Sequence, residues 1–242
     1  AQPAHLIDIN RIPELRGIRE AGGTVVIGAM TTENELINSP VVQAKLPLLA
    51  EAAKLIADPQ VRNRGTIGGD IAHGDPGNDH PALMLALGAS FVLSGPRGER
   101  VVAADGFFLG MYSTLLEADE ILTQIRVPVP APGSGWSYQK LKRKTGDFAT
   151  AATAVMLQMK GGNVASVSIA LTNVGATALK AQAAEASLIG KPLNDATVNE
   201  AARLAMGICE PSADQRGDVA YKTAMCGEMT RRALLAARSR AK

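Results

Sequence analysis

Cysteine, histidine, aromatic rings and long apolar runs are all scarce in this sequence of 242 residues, and each scarcity removes a class of function. The two cysteines, Cys209 and Cys226, lie far apart and form no Cys-x-x-Cys pair. They are too few to hold a cysteine-ligated [2Fe–2S] cluster, and they suit a reduced, cytoplasmic protein. Aromatics make up 3% of the residues, and the net charge of +2 is spread along the chain. A nucleic-acid surface needs clustered cations and stacking rings, so that class is not expected. No run of about 18 apolar residues is present to cross a membrane. The opening "AQPAHLIDINRIPELRG" has no charged segment leading into an apolar core and is not read as a secretory signal. It also lacks an initiator Met, so residues upstream are expected, removed by truncation or processing. With three histidines and no Gly-x-Ser-x-Gly, nucleophilic hydrolysis has little to work with.

What is present is a composition with 46% hydrophobic and 20% charged residues, enough for a sizeable core. The length fits one large or two modest domains. His5–Ile9 and Thr24–Met30 are rich in β-branched residues and read as buried strands. Thr32 and Glu35 have capping-box spacing. Val42, Leu46, Leu49, Ala53 and Ile56 predict a single amphipathic helix from Val41 to Ala57, stopped at Asp58-Pro59. "PALMLALGA" predicts a helix closed by Gly88. "SFVLSGPRGERVVAA" predicts a hairpin, and "DEILTQIRVPV" a strand. The Pro/Gly-rich segment Val127–Gly135 predicts a boundary between domains at 1–130 and 136–242. Beyond it, two long strands meet at Gly161-Gly162-Asn163. Helices are expected over Ala178–Leu188, from an Asp195 cap to Met206, and over Tyr221–Arg238. Strands followed by helices, without alternation, predict an α+β fold.

Two stretches carry the chemistry. In "VRNRGTIGGDIAHGDPGNDHPA" (Val61–Ala82), Gly65, Gly68 and Gly69 remove Cβ atoms where backbone N–H groups could approach an anion, and Thr66 adds a hydroxyl. A glycine-rich turn without a ligand is the plain alternative. The pattern is neither a P-loop nor Gly-x-Gly-x-x-Gly. His73, Asp75, Asp79 and His80 lack the spacing of a zinc site. Asp75–Asn78 reads as a turn, and Asp79 either caps a helix starting at Pro81 or accepts from ribose hydroxyls. In "KLKRKTGDFATAA" (Lys140–Ala152), the plain reading is a solvated basic strand end with Phe148 entering the core. The functional reading places Phe148 over a flat cofactor with cations nearby.

Taken in order, "VVIGAMTTENELINSP", "ADPQVRNRGTIGGDIAHGDPGNDHPALMLALGA" and "KLKRKTGDFATAA" resemble the FAD-binding subunits of molybdenum hydroxylases, over essentially the whole chain. The resemblance implies a vanillyl-alcohol-oxidase-type (PCMH-like) FAD-binding domain followed by a C-terminal α+β domain of antiparallel strands and helices. It implies FAD on this chain, a molybdopterin cofactor on a large partner subunit and [2Fe–2S] clusters on a small one, assembled as a dimer of heterotrimers. Electrons would pass through FAD to an external acceptor such as a quinone, in a cytoplasmic complex associated with the inner face of the membrane. Overall similarity favours carbon monoxide as the substrate at molybdenum, with purines, nicotine-like heterocycles and aldehydes as alternatives.

By the same resemblance, Thr66, Ile67, Gly68, Gly69 and Asp70 match a loop contacting the FAD pyrophosphate, and Asp79 matches an acidic residue at the ribose. Leu122 falls near the flavin or adenine. Lys140, or the adjoining Gln139, falls at a basic position near the flavin, and Phe148 over the isoalloxazine ring. Gly68→Val is then expected to expel the pyrophosphate while an exposed loop still folds. One departure stands out. The family carries a first FAD loop, close to Ala-Gly-Gly-Gln-Ser, before the "LIDI" segment, and Ala21-Gly22-Gly23-Thr24 is a turn that does not replace it. That departure supports a rival reading, a non-catalytic assembly subunit. A standalone flavin oxidase is the weaker alternative.

Overall fold

A computed structural model describes residues 3–242. A turn of 3-10 helix at Pro13–Leu15 leads into a hairpin of β1 (Ile18–Ala21) and β2 (Thr24–Gly28). Its turn places Gly22 and Gly23 at φ 57° and 75°, the left-handed pair that a two-residue hairpin demands. Short helices follow: α1 (Glu33–Asn38), α2 (Pro40–Lys45), α3 (Pro47–Ala53), α4 (Pro59–Arg62), α5 (Ile67–His73) and α6 (His80–Leu87). Next come the hairpin β3 (Ser90–Gly95) and β4 (Gly98–Ala103), the small pair β5 (Phe108–Gly110) and β6 (Ser113–Thr114), and the long strand β7 (Ile121–Pro128). The second half holds β8 (Gly135–Leu141), β9 (Ala151–Lys160), β10 (Asn163–Thr172) and β11 (Leu179–Lys180), then α7 (Gln182–Leu188), α8 (Asp195–Met206) and α9 (Val219–Arg240). Among the described residues, no helix is long and apolar enough to cross a membrane.

The strands form a five-stranded sheet, order β1-β2-β7-β3-β4, and a four-stranded sheet, order β11-β10-β9-β8; every pairing is antiparallel. The α+β expectation therefore holds. In β9 the side chains alternate by face. Ala152 and Ala154 join the core shared with α3 and α6, whereas Ala151, Val155 and Leu157 pack with α7–α9. Helix α6 is buried at every residue, apolar all round, and contacts β7 on one side and β9 and β10 on the other. One apolar core thus joins Ile27, Leu49 and Leu83 to Tyr138 and Ala154, across the Pro/Gly-rich segment.

Several expectations need correction. The helix predicted over Val41–Ala57 is two pieces, α2 and α3. Pro47 has no N–H and crowds the preceding turn, and Leu46 before it is pushed out of helical geometry to φ −129°, ψ 59°. The apolar spacing survives the break, which is why periodicity alone read one helix. His5–Ile9 forms no strand, and Leu6 and Ile7 are 93% and 82% exposed. A strand needs a neighbouring ladder, and none of the described residues offers one. The Ala178–Leu188 helix begins only at Gln182, because Leu179–Lys180 pairs with β10 instead. Asn194, not Asp195, caps α8, in a reciprocal box with Thr197. The Thr32–Glu35 capping box, the Gly88 stop and the Gly161-Gly162 hairpin stand as read.

Candidate functional site

The glycine stretch is a helix start rather than an open loop. Thr66 caps α5, its Oγ1 accepting from Gly69 N at 3.2 Å. Ile67 N donates to Thr31 O at 3.0 Å and Gly68 N to Ala29 O at 2.9 Å, so these N–H groups are spent inside the protein. Gly68 is buried, and a Cβ there would lie 2.4 Å from Ala29 Cβ and 2.6 Å from Ala29 O. Its lack of a side chain lets α5 sit directly on the backbone after β2. Gly69, by contrast, is exposed.

The exposed side of this turn borders a cleft of about 540 Å³. Thr66, Gly69, Asp70, Asp79, Lys140 and Phe148 line it together, as the sequence expectation grouped them. Ile67 and Leu122 do not: both are buried in the core, Leu122 on β7. Gln139 donates to Ser137 Oγ at 2.9 Å and is also absent from the lining, which leaves Lys140 as the basic residue there. A polar recess alongside, lined by Arg16, Asn34 and Asn63, shares Arg64 and Thr66 with the cleft.

Asp79 does not cap α6. It has helical φ and ψ and makes no side-chain cap bond. Its carboxylate accepts instead from Tyr138 Oη and from Lys140 Nζ, the latter at 2.6 Å. Both side chains of the ion pair are buried, at 1% and 5% exposure. Burial pushes the Asp79 carboxyl up against the opposing pull of Lys140, and burial beside this carboxylate pushes the Tyr138 hydroxyl well above its ordinary value. Lys140 and Lys142 both donate to Leu55 O, at 3.4 and 2.9 Å, and tie β8 to the segment after α3, while Arg143 and Lys144 of the same basic run face solvent as read.

Phe148 does not enter the core; it is 44% exposed and stands at the cleft edge, over Gly77. The Arg216 guanidinium lies 5.8 Å from its ring centre and bonds Asp147 at 2.7 Å. Arg216, burial notwithstanding, and Arg143 hold the Asp147 carboxyl down at about 2. The turn carrying Phe148 is therefore latched across the ordinary pH range.

Three lining residues were given no site role by the sequence reading, Glu33, Arg64 and Asn78, and His80, weighed there only as a zinc ligand, supports the wall behind them. His80 is wholly buried, 2.8 Å from Asp70 through Nδ1 and 3.5 Å from Glu33 through Nε2. Burial alone would depress its pKa, but Glu33 and Asp70 outweigh that and raise it to about 9, while burial lifts Glu33 to about 7. The ordinary values are 6.5 and 4.5. The stability that His80 contributes as a cation is complete below about 6.5 and lost as pH rises through about 9. Glu33 acts with the same sign between about 4.5 and 7, where the folded chain keeps a proton that the unfolded chain releases. The melting temperature is therefore expected to fall between pH 6.5 and 9, and His80→Gln to flatten that slope. Parallel slopes in thermal melts of the two proteins would remove His80 from the account.

An aromatic edge, a carboxylate wall, a buried lysine and an arginine-bearing polar recess suit an elongated ligand with a flat ring, hydroxyls and an anionic group. Comparison with known proteins agrees. The family model for the FAD binding domain in molybdopterin dehydrogenase matches residues 1–130, and that for the CO dehydrogenase flavoprotein C-terminal domain matches residues 136–237. The chain is 66% identical to the carbon monoxide dehydrogenase medium chain of Hydrogenophaga pseudoflava, over 99% of its own length and 84% of the relative's. It is 52% identical to the corresponding chain of Afipia carboxidovorans, over 100% and 84%. Its structure superposes with a TM-score of 0.99 and 68% identity on a carbon monoxide dehydrogenase from Hydrogenophaga pseudoflava, covering 100% of this chain and 84% of that one. The chain belongs to the FAD-binding medium subunits of the molybdenum hydroxylases, the family that includes the carbon monoxide dehydrogenase medium chains.

Proposed function

We propose that the chain is the flavin-carrying electron-transfer subunit of a carbon monoxide dehydrogenase, taking electrons from [2Fe–2S] clusters on a small partner subunit and passing them to an external acceptor. A large partner subunit would hold the molybdopterin cofactor and oxidise the substrate. The observation that carries this reading is the cleft itself, which gathers Thr66, Gly69, Asp70, Lys140 and Phe148 from separate elements of a chain matched to FAD-binding relatives. Bound FAD would supply the exchange of single electrons with clusters and electron pairs with the acceptor.

The protein's part is binding, orientation and electrostatics. Phe148 offers a ring face at the cleft edge, held by the Arg216–Asp147 contact. Lys140, fixed by Asp79, presents a cation from the floor. Thr66 and Arg64 border both the cleft and the recess beside it, where an anionic pyrophosphate finds a hydroxyl and a guanidinium. The lining fits the cofactor: a Cβ on the exposed Gly69 would come within 2.9 Å of Thr66 Oγ1, so the glycine keeps this edge of the cleft open. Under the same proposal, residues 1–130 form the FAD-binding part and 136–242 the C-terminal part. A cytoplasmic dimer of heterotrimers at the inner face of the membrane, reducing a quinone-class acceptor, rests on the family resemblance.

The test is direct. The full-length subunit, purified with its two partners, is expected to carry non-covalent FAD that bleaches when carbon monoxide is added anaerobically. Bleaching by a purine or an aldehyde in place of carbon monoxide would reassign the substrate, and a subunit that ignores added FAD would sink the reading.

A further inference from the structure

The two cysteines, far apart in the sequence, are brought together by the fold. Cys209 follows the end of α8, and Cys226 lies inside α9. The two helices touch closely here: a Cβ on Gly227 would lie 2.6 Å from Met206 Sδ. Cys226 is wholly buried, while Cys209 is half-buried and packs against the same apolar cluster. The Cys226 thiol donates to the Cys209 sulfur, and the Cys209 thiol donates to Ala205 O at 3.3 Å. Neither residue lines the cleft, and electron transfer through a flavin makes no use of them. A thiol inside a core is usually no more than a small apolar side chain. Here one sulfur is partly open to solvent, the other is closed, and the two are in contact. That is the arrangement of an attacking thiol beside a resolving one.

The two sulfurs differ in reactivity. The hydrogen bond from Cys226 draws the Cys209 thiol below its ordinary value, against the opposing effect of burial. The same hydrogen bond, together with burial, pushes Cys226 well above it. The thiolate is the nucleophile, so Cys209 reacts first. We infer that Cys209 and Cys226 are a redox modification site, in which hydrogen peroxide oxidises Cys209 and Cys226 then closes a reversible disulfide. In the first step the Cys209 sulfur attacks one peroxide oxygen. The O–O bond breaks, the sulfur becomes a sulfenic acid, and the second oxygen leaves as water with the thiol proton. In the second step the Cys226 sulfur attacks that sulfur. The S–S bond forms, the S–O bond breaks, and the hydroxyl leaves as a second water with the Cys226 proton. Two electrons pass from the thiols to the peroxide, and a dithiol reductant reverses the change. The bridge would pin the connection between α8 and α9. That connection carries Arg216, which holds Asp147 at 2.7 Å beside Phe148, so the staple lies on the support of the cleft edge. The pair needs no cofactor, and it can fail while the FAD reading stands.

The experiment treats the full-length subunit, in its purified complex, with hydrogen peroxide, alkylates the remaining thiols and maps the tryptic peptides by mass spectrometry. A disulfide joining the peptide of residues 204–216 to that of residues 223–231 is expected, and dithiothreitol should remove it. Cys226→Ala is expected to leave a sulfenic acid on Cys209 that dimedone traps, whereas the unsubstituted protein loses that adduct once the bridge has formed. Cys209→Ala should abolish the bridge and leave Cys226 unlabelled. Circular dichroism checks that each complex stays folded during treatment. Cys209 driven to sulfinic acid without a bridge, dimedone on Cys226 in place of Cys209, or a bridge that forms only in urea overturns the assignment. So do two thiols that survive peroxide intact in the folded complex. If Cys226→Ala does not fold, the peptide map of the unsubstituted protein decides by itself.

Discussion

Gly68→Val is expected to leave little folded protein, rather than a folded protein without cofactor. The first atom of the new side chain would lie 2.4 Å from Ala29 Cβ, 2.6 Å from Ala29 O and 2.7 Å from Ala29 Cα. Two of those are backbone atoms, so no rotamer change relieves the contact. Relief requires α5 to lift off the sheet, which breaks the Gly68 N–Ala29 O bond at 2.9 Å and unseats Ile67 from the core. Overpacking of this kind, with a buried bond lost, costs on the order of 3 kcal/mol or more. Gly69→Ala is the matched control. Its Cβ would meet only Thr66 Oγ1, at 2.9 Å, on the exposed side. It should fold with near-normal stability and lose FAD affinity. Soluble yield and urea denaturation of the two variants separate the roles; a Gly68→Val protein with the unsubstituted midpoint would falsify the packing assignment.

Asp79→Ala is expected to destabilise the protein before any cofactor is added. The substitution strands the Lys140 ammonium, 1% exposed, and removes the acceptor of the buried Tyr138 hydroxyl. Breaking a buried pair by deleting one partner costs about 3–5 kcal/mol, more than a lost ligand contact would. Asp79→Asn keeps an acceptor for Tyr138 and removes only the charge, so a smaller loss is expected. The discriminating measurement is denaturant unfolding of the cofactor-free subunit beside a separate FAD titration. Unchanged apo stability with weakened FAD binding would return Asp79 to the ribose.

These two residues show where sequence reading reaches and where it stops. Hairpins at Gly95–Gly98 and Gly161-Gly162, and the turn at Gly22-Gly23 though not strand β1 before it, were legible because such turns are decided by residues next to one another. The Thr32 capping box was legible for the same reason. Periodicity misjudged Val41–Ala57 because the apolar stripe continues through a break that Pro47 alone enforces. The motif "TIGGD" correctly marked the cleft, but not which glycine faces it. That depends on Ala29, which arrives from the sheet. Asp79 looked like a cap because Pro81 follows it; Tyr138 and Lys140, from the far side of the Pro/Gly-rich segment, claim it instead. Glu33 and His80 carried no local signal, since their partnership exists only once α1, α5 and α6 have packed. Long-range contacts decided the site residues that were misread, Gly68 and Asp79 among them.

The wholly buried helix α6 bears on how this subunit can be taken apart. One face of it completes the first sheet's core and the other completes the second's. Neither half of the chain can be lifted out without exposing a continuous apolar surface, so the halves are not interchangeable modules. A chimaera that joins the first half of one medium subunit to the second half of another must also inherit a matched α6, Tyr138 and the small residues Ala152 and Ala154 opposite it.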